Sequence, residues 1–119
     1  MAYIMTGGIL SGSTDGRGIL VVATATAGTL IHTVTAGQTN YEAVILYAVN
    51  PHTAAIKLSL EWGGVTSPGD LITITIPIDS GLFLVTPGLR LRNGLVIRAF
   101  AAVASKITIF GHTDIRSTA

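Results

Sequence analysis

The chain has 119 residues, a formal net charge of +1 and no cysteine, which fits one domain and excludes disulfide bonds and thiol chemistry. So small a net charge argues against a nucleic-acid partner, because proteins that bind nucleic acids usually carry a basic stripe. Hydrophobic residues make up 49% of the sequence and charged residues 11%. A domain of this size buries only about two-thirds of the surface that its unfolded chain exposes. We therefore expect part of the apolar surface to contact a partner.

Residues 1–16 are predicted to form a flexible N-terminal arm. Four glycines lie among serines and threonines in this segment, and such a backbone is costly to order alone. The segment lacks the basic start and the long apolar core of a signal peptide. An extra edge strand with a frayed end is an equally good interpretation. The arm supplies candidate contacts with a partner surface: Tyr3, Ile4, Met5, Ile9 and Leu10.

Residues 17–119 are predicted to be one all-β domain of about eight strands. Each apolar run is rich in β-branched residues and is followed closely by Gly, Pro or Asn, which favours short antiparallel strands. We expect an antiparallel β-sandwich of the jelly-roll type, with an up-and-down barrel as the alternative. The predicted strands are Ile19–Thr26, Thr29–Thr35, Glu42–Val49, Ala55–Trp62, Leu71–Ile78, Leu89–Arg92, Leu95–Ala102 and Lys106–Thr113.

Three of these runs predict more than a strand. Glu42–Val49 is continuously apolar, which indicates a central strand covered on both faces. In Ala55–Trp62 the residues alternate, so that Trp62 faces inward while Lys57 and Glu61 form a solvated pair on the other face. The Asn93-Gly94 dipeptide is typical of a type I′ turn, so Leu89–Arg92 should pair with Leu95–Ala102.

The histidines and carboxylates form no recognisable catalytic or metal-binding pattern. His32, His52 and His112 lie too far apart in the sequence for a short metal-ligand spacing, and we expect each at a rim or an interface. Asp70 and Asp79 lie in predicted turns, where aspartate commonly bonds nearby backbone. No serine elbow or phosphate loop is present. We therefore predict no enzyme activity, no cofactor and no metal site.

Two further features are candidate binding residues. An exposed Trp62 would suit stacking on a sugar, but its inward register favours packing in the core. Arg90, Arg92 and Arg98 flank the predicted Asn-Gly hairpin turn and are predicted to form one basic rim at a subunit interface. A solvated hairpin tip is an equally good interpretation of the three arginines.

The turn and core motifs of the domain resemble those of a family of small structural proteins from tailed-phage virions. The resemblance covers most of residues 28–115 and leaves the arm outside. It implies a β-sandwich fold and a structural role, either as a head decoration protein or as a tail-associated protein, with no catalytic residues. It rests on Leu46–Asn50, Lys57–Gly64, Asp70–Ile72, Thr75–Pro77, Ser80–Leu82, Pro87–Leu89 and Asn93–Ala101.

The resemblance implies a capsid decoration (cement) protein, made in the host cytoplasm and located on the capsid exterior. Its expected partners are further copies of itself, as a homotrimer, and the major capsid protein or other virion subunits; no nucleic-acid or membrane partner is expected. One alternative is a tail or head-fibre component. The other is a small trimeric glycan-binding module used in host adsorption.

Overall fold

The computed structural model describes residues 3–118, with side chains for residues 4–117. Within this range the chain forms nine strands and no helix, which confirms the all-β prediction. The strands are β1 Tyr3–Ile9, β2 Ile19–Leu20, β3 Thr29–Thr33, β4 Tyr41–Val49, β5 Ile56–Trp62, β6 Leu71–Ile76, β7 Phe83–Leu91, β8 Val96–Ala101 and β9 Thr108–Thr118.

The strands pair in a nested order that produces two antiparallel sheets. The pairs β2–β9, β3–β8, β4–β7 and β5–β6 lie inside one another, as in a single long hairpin that has been rolled up. Pairs β4–β9 and β5–β8 close the roll. One sheet has five strands in the order β1-β9-β4-β7 with β2 also beside β9, and the other has the order β3-β8-β5-β6. This is the expected jelly-roll arrangement.

The core lies between the two sheets and is built by alternation along the strands. Val44 and Leu46 of β4 are fully buried from one side, and Leu58 and Leu60 of β5 are fully buried from the other. Trp62 is half-buried and packs against this core. The predicted inward register of Trp62 is therefore confirmed.

The hairpin predicted at Asn93-Gly94 does not form. Both residues have positive φ angles, 72° and 69°, as a type I′ turn requires. However, β7 before the turn pairs with β4, while β8 after it lies in the other sheet. The amides of Asn93 and Gly94 donate to the carbonyls of Gly37 and Thr35 instead. The dipeptide sets the local backbone angles, but it does not decide which strands become neighbours.

Residues 3–9 form an edge strand rather than a free arm. β1 runs antiparallel to β9, from Tyr3 opposite Thr118 to Ile9 opposite His112. The alternative interpretation of this segment, an extra edge strand, is the one the structure shows. Residues 1 and 2 of the predicted arm lie outside the described residues.

We predict that Leu46→Ala lowers the free energy of unfolding by about 2–5 kcal/mol, because Leu46 is fully buried and its loss leaves a cavity. Leu84→Ala is the matched control on the same sheet, since Leu84 is 48% exposed, and it should cost less than about 1 kcal/mol. Urea unfolding measures both variants. Equal costs for the two variants would contradict this description of the core.

Candidate functional site: the outer face of the five-stranded sheet

The outer face of β4 is apolar although it is only partly covered. Along this strand, residues with even numbers are buried and residues with odd numbers, such as Ile45 and Tyr47, are half-buried. The prediction that both faces of this strand are covered is therefore wrong. The continuous apolar run reflects one face that packs in the core and one apolar face directed outward.

The apolar character continues on the two strands beside β4. Tyr47 lies opposite Phe110 on β9 and opposite Leu84 on β7, and Ile45 lies opposite Pro87 on β7. Phe110 is half-buried, while Leu84 and Pro87 are exposed. Cross-strand neighbours of this kind pack against each other on one side of a sheet, so these side chains form a continuous surface.

Strands β1 and β2 extend this surface to the edge of the sheet. Met5 and Ile9 are 59% and 57% exposed and lie opposite the outward-facing Arg116 and His112 of β9. Leu20 of β2 is also exposed and lies opposite Thr108. We call the whole set the apolar face: Met5, Ile9, Leu20, Ile45, Tyr47, Val49, Leu84, Pro87 and Phe110.

One corner of the apolar face holds an aromatic ring, two arginines and the carboxylate of Asp114, and we call it the basic corner because its net charge is positive. The guanidinium carbons of Arg90 and Arg116 each lie 5.0 Å from the centroid of the Tyr41 ring, a distance at which a cation is attracted to the ring. The two arginines come from β7 and β9, the strands on either side of β4. Tyr41 and Arg90 also line an open groove of about 540 Å³.

The predicted rim of Arg90, Arg92 and Arg98 is not assembled. Arg90 lies on the five-stranded sheet, whereas Arg98 lies on β8 of the other sheet and donates to the Gly28 carbonyl at 3.4 Å. Arg92 follows β7 and donates to the Gln38 carbonyl at 2.7 Å. The prediction was wrong because it required the Asn-Gly hairpin. Arg116, which the sequence analysis did not single out, accompanies Arg90 instead.

The predicted contact residues of the arm divide into three groups. Met5 and Ile9 belong to the apolar face, and Ile4 is exposed but lies opposite Ser117, on the other side of β1. Leu10 is only 2% exposed and belongs to the core. Its prediction as a partner contact is therefore wrong, since its side chain already packs inside the domain. The side chain of Tyr3 lies outside the described residues.

Glu42 and His32 form a buried polar network that joins the two sheets. His32 Nε2 lies 2.7 Å from Glu42 Oε1, and Thr113 of β9 donates its hydroxyl to the same oxygen at 2.9 Å. The backbone amide and hydroxyl of Thr35 donate to Glu42 Oε2 at 2.6 and 2.7 Å. The prediction that His32 lies at a rim or interface is wrong, because its side chain is buried.

The network with Ser11, His32 and Glu42 contains the residue types of a hydrolase triad without its geometry. The backbone amide of Ser11 donates a hydrogen bond to His32 Nδ1 at 2.9 Å. Nδ1 is therefore an acceptor, and Nε2 carries the ring hydrogen and donates a hydrogen bond to Glu42. The Ser11 hydroxyl accepts from the Thr33 amide at 2.7 Å and is not bonded to the imidazole. The arrangement joins β3, β4 and the segment after β1, and it activates no nucleophile.

Glu61 is the second buried carboxylate, and its predicted solvated pairing with Lys57 is wrong. Glu61 Oε1 accepts a 2.6 Å bond from the Gly28 amide, and Oε2 accepts the hydroxyl of Thr26. The segment around Thr26 thus covers the outer face of β5 at this position. Glu42 lies on the inner face of the other sheet, so the two buried carboxylates do not form the facing pair that glycoside hydrolysis uses.

The described residues contain no group of three or more His, Asp or Glu side chains placed to hold a metal ion. His112 is exposed on the outer face of β9, while His52 lies in the connection between β4 and β5. No helix capable of crossing a membrane occurs in residues 3–118. The surface that remains as a candidate site is the apolar face with its basic corner.

Comparisons with known proteins identify no relative of this chain. No protein-family model, no curated protein and no solved structure matches the chain. The resemblance to phage virion proteins therefore stays a hypothesis, and the apolar face is the structural feature that bears on function.

We predict that the Glu42 network makes stability depend on pH. Burial raises the pKa of the Glu42 carboxyl, but hydrogen bonds from Thr35, His32 and Thr113 lower it by more than burial raises it. The pKa therefore lies below its ordinary 4.5. Because the pKa of Glu42 is lower in the folded state than in the unfolded state, the ionised carboxylate stabilises the fold at any pH above the unfolded-state pKa. This stabilisation is lost as the pH falls through the folded-state pKa.

Denaturant unfolding between pH 7 and pH 2 tests the network. At pH 7, Glu42→Gln should be about 1–3 kcal/mol less stable than the parent chain, and its stability should fall less with acid. Asp15→Asn changes an exposed turn carboxylate and should retain the parent's pH dependence. Parallel curves for Glu42→Gln and the parent chain would contradict the network's role.

Proposed function

We propose that this protein is a structural component of a tailed-phage virion, and specifically a decoration (cement) protein that binds the exterior of the capsid. The observation that supports this proposal is the apolar face: a sheet surface rich in exposed aliphatic and half-buried aromatic side chains. Large exposed apolar patches typically mark interaction sites. A surface of this kind suits permanent attachment to a shell.

The layout of the face is that of a protein–protein interface. Its centre, around Ile45 and Tyr47, is apolar except for His112 opposite Ile45, and charged side chains such as Arg90 and Arg116 lie towards one end. Interfaces typically combine an apolar core with a polar rim, and tyrosine and arginine are enriched in them. We infer that the centre supplies the burial and that the basic corner orients the protein on an acidic part of its partner.

A decoration protein stabilises a shell by binding several shell subunits at once, so that they separate only if many contacts break together. Copies of this protein that are joined to each other bind the shell multivalently, which raises their effective concentration at each site. In this proposal Met5 and Ile9 act as part of the face, not as anchors on a free arm. The homotrimer that the resemblance implies is untested, and this proposal does not depend on the number of copies that join.

A tail or head-fibre component would use the same face on a different partner, and location distinguishes the two roles. The glycan-binding alternative has lost its main support, because Trp62 packs against the core. The fold alone does not select a function, since jelly rolls occur in capsid proteins, lectins and cupins alike.

We predict that Ile9→Glu/Leu84→Glu lowers the affinity for capsids of the parent phage at least tenfold while the domain stays folded. Both side chains are about half exposed, so the variant should fold, but each new charge would have to be buried at the interface. Leu30→Glu/Val103→Glu changes two exposed apolar residues elsewhere and should bind normally. Co-sedimentation with capsids that lack the protein measures both variants.

Three results would contradict the proposal. The first is equal binding by both double variants, and the second is equal loss in both. The third is absence of the protein from purified virions by mass spectrometry. If the protein is present in virions, cryo-electron microscopy distinguishes a head location from a tail location, since only a head location places density across the capsid surface.

A further inference from the structure

We propose that the edge of β6 is a self-association site, where β6 of one copy pairs antiparallel with β6 of a second copy around a two-fold axis. The pairing would join the two four-stranded sheets into one continuous sheet. This inference rests on the backbone and sequence of β6 and does not depend on the proposed virion role.

The backbone groups that β6 directs away from β5 can be identified from the bonds around them. The amide of Trp62 donates to the Asp70 carbonyl at 2.8 Å. Because hydrogen-bonded pairs recur at every second residue of an antiparallel ladder, the even-numbered residues of β5 and β6 are the ones that bond to each other. The odd-numbered residues of β5 bond on the side of β8 instead: the Lys57 carbonyl accepts from Ala102 and the Gly63 amide donates to Val96. This is the alternation of bonding directions expected along a strand. The amides and carbonyls of Thr73 and Thr75 therefore point to the open side of β6.

This open stretch is bounded at both ends. The Leu71 amide donates to the Pro68 carbonyl at 3.2 Å, so it is already satisfied within its own turn. Pro77 occupies the next outward position beyond Thr75 and has no amide hydrogen. The groups available for pairing are thus concentrated on Thr73 and Thr75, next to the carbonyl of Leu71.

Two of the other sheet edges are protected within the chain. The edge of β3 is covered, because Gly12 donates to the Ile31 carbonyl and Ser11 accepts from the Thr33 amide. The β7 edge carries two register shifts and Pro87, features that discourage edge pairing. β6 has no charged residue, no proline and no register shift, so it lacks these protections.

The remaining edge strands in the described part of the chain are β2, which has only two residues, and β1, which fits self-pairing less well than β6. β1 contains the adjacent glycines Gly7 and Gly8, and strands rich in glycine specify their pairing register weakly. Its sequence, YIMTGGI, does not match itself when reversed. β6 differs on both points.

The sequence of β6 indicates that the partner is a second copy. Ile72–Ile76 reads Ile-Thr-Ile-Thr-Ile, which is identical in both directions. Antiparallel pairing centred on Ile74 therefore places isoleucine opposite isoleucine on the inner side and threonine opposite threonine on the outer side. The Thr73 amide would donate to the carbonyl of Thr75 of the partner subunit, and the Thr75 amide to the carbonyl of Thr73 of the partner subunit.

Side chains beside the edge would gain burial from the same pairing. Ile72 and Ile74 pack against the core but remain half-buried. The connection that leaves β6 carries Ile78 and Leu82, which are 47% and 59% exposed. A second copy placed along β6 would cover the isoleucines of the strand, as an interior strand would.

Two lysines on the edge test the association. Thr73→Lys/Thr75→Lys keeps the β5–β6 bonds, because both side chains are exposed, but sets like charges opposite each other across the axis. Light scattering and sedimentation should show a dimer for the parent chain and at least a tenfold higher dissociation constant for this variant. Ala102→Lys/Ala104→Lys adds the same charge in an exposed connection and should remain dimeric.

Single cysteines test the register, because the chain has no cysteine of its own. In the proposed register Ile74 faces Ile74 of the partner subunit as a pair without backbone bonds, with Cα atoms about 4.5 Å apart, which suits a disulfide. Ile74→Cys should therefore form a covalent dimer on oxidation. Thr73→Cys should not, since the two Thr73 positions are diagonal neighbours about 7–8 Å apart.

The proposal is overturned if the parent chain is monomeric at high micromolar concentration, or if both lysine variants associate as the parent does. A trimer that is unchanged in the edge variants would also overturn it. Cross-linking of Thr73→Cys without Ile74→Cys would refute the proposed register. The Ile9→Glu/Leu84→Glu variant, which is defective for the capsid proposal, should still dimerise, so the two proposals fail separately.

Discussion

Each strand of a sheet must present alternate side chains to opposite faces, and this constraint governs the whole molecule. A two-sheet domain has two inner faces that form the core and two outer faces that contact either solvent or other parts of a protein. In this chain the outer face of β5 is partly covered by the segment around Thr26, which is held by Glu61. The outer face of the five-stranded sheet is apolar and half-exposed. The chain therefore has more apolar surface than its own fold covers.

Two of the six carboxylates in this weakly charged chain are buried, so the exterior carries even fewer charges than the composition indicates. Glu42 joins β3, β4 and β9 through bonds from His32, Thr35 and Thr113, and Glu61 fastens a connecting segment. A carboxylate that accepts several bonds is stable when buried, and removing its partners would leave an uncompensated charge. These bonds hold the connections in place, and they leave fewer charges to keep the exterior hydrated and single copies apart.

The sequence was informative wherever the signal was local. β5 and β6 were predicted within a few residues, and Trp62 was placed on the correct face, because alternation along one strand determines both. The errors at Asn93-Gly94, at the arginine rim and at Glu61 share a different cause: each depended on which distant segment lies alongside. In a jelly roll, most neighbours are distant in sequence, as with β2 and β9. Leu10 was misassigned for the same reason, since only the path of the chain after β1 brings it into the core.

The two proposed surfaces differ in what specifies them, and their geometry makes them compatible. The edge of β6 is specified by backbone groups and a palindromic sequence, whereas the apolar face is specified by side chains. Pairing that keeps isoleucine opposite isoleucine also keeps both five-stranded sheets on the same side of the joined sheet. The apolar faces of the two copies would then point in the same direction. A pair of this kind could place both faces on one shell, so that self-association would convert a modest single contact into a bivalent one.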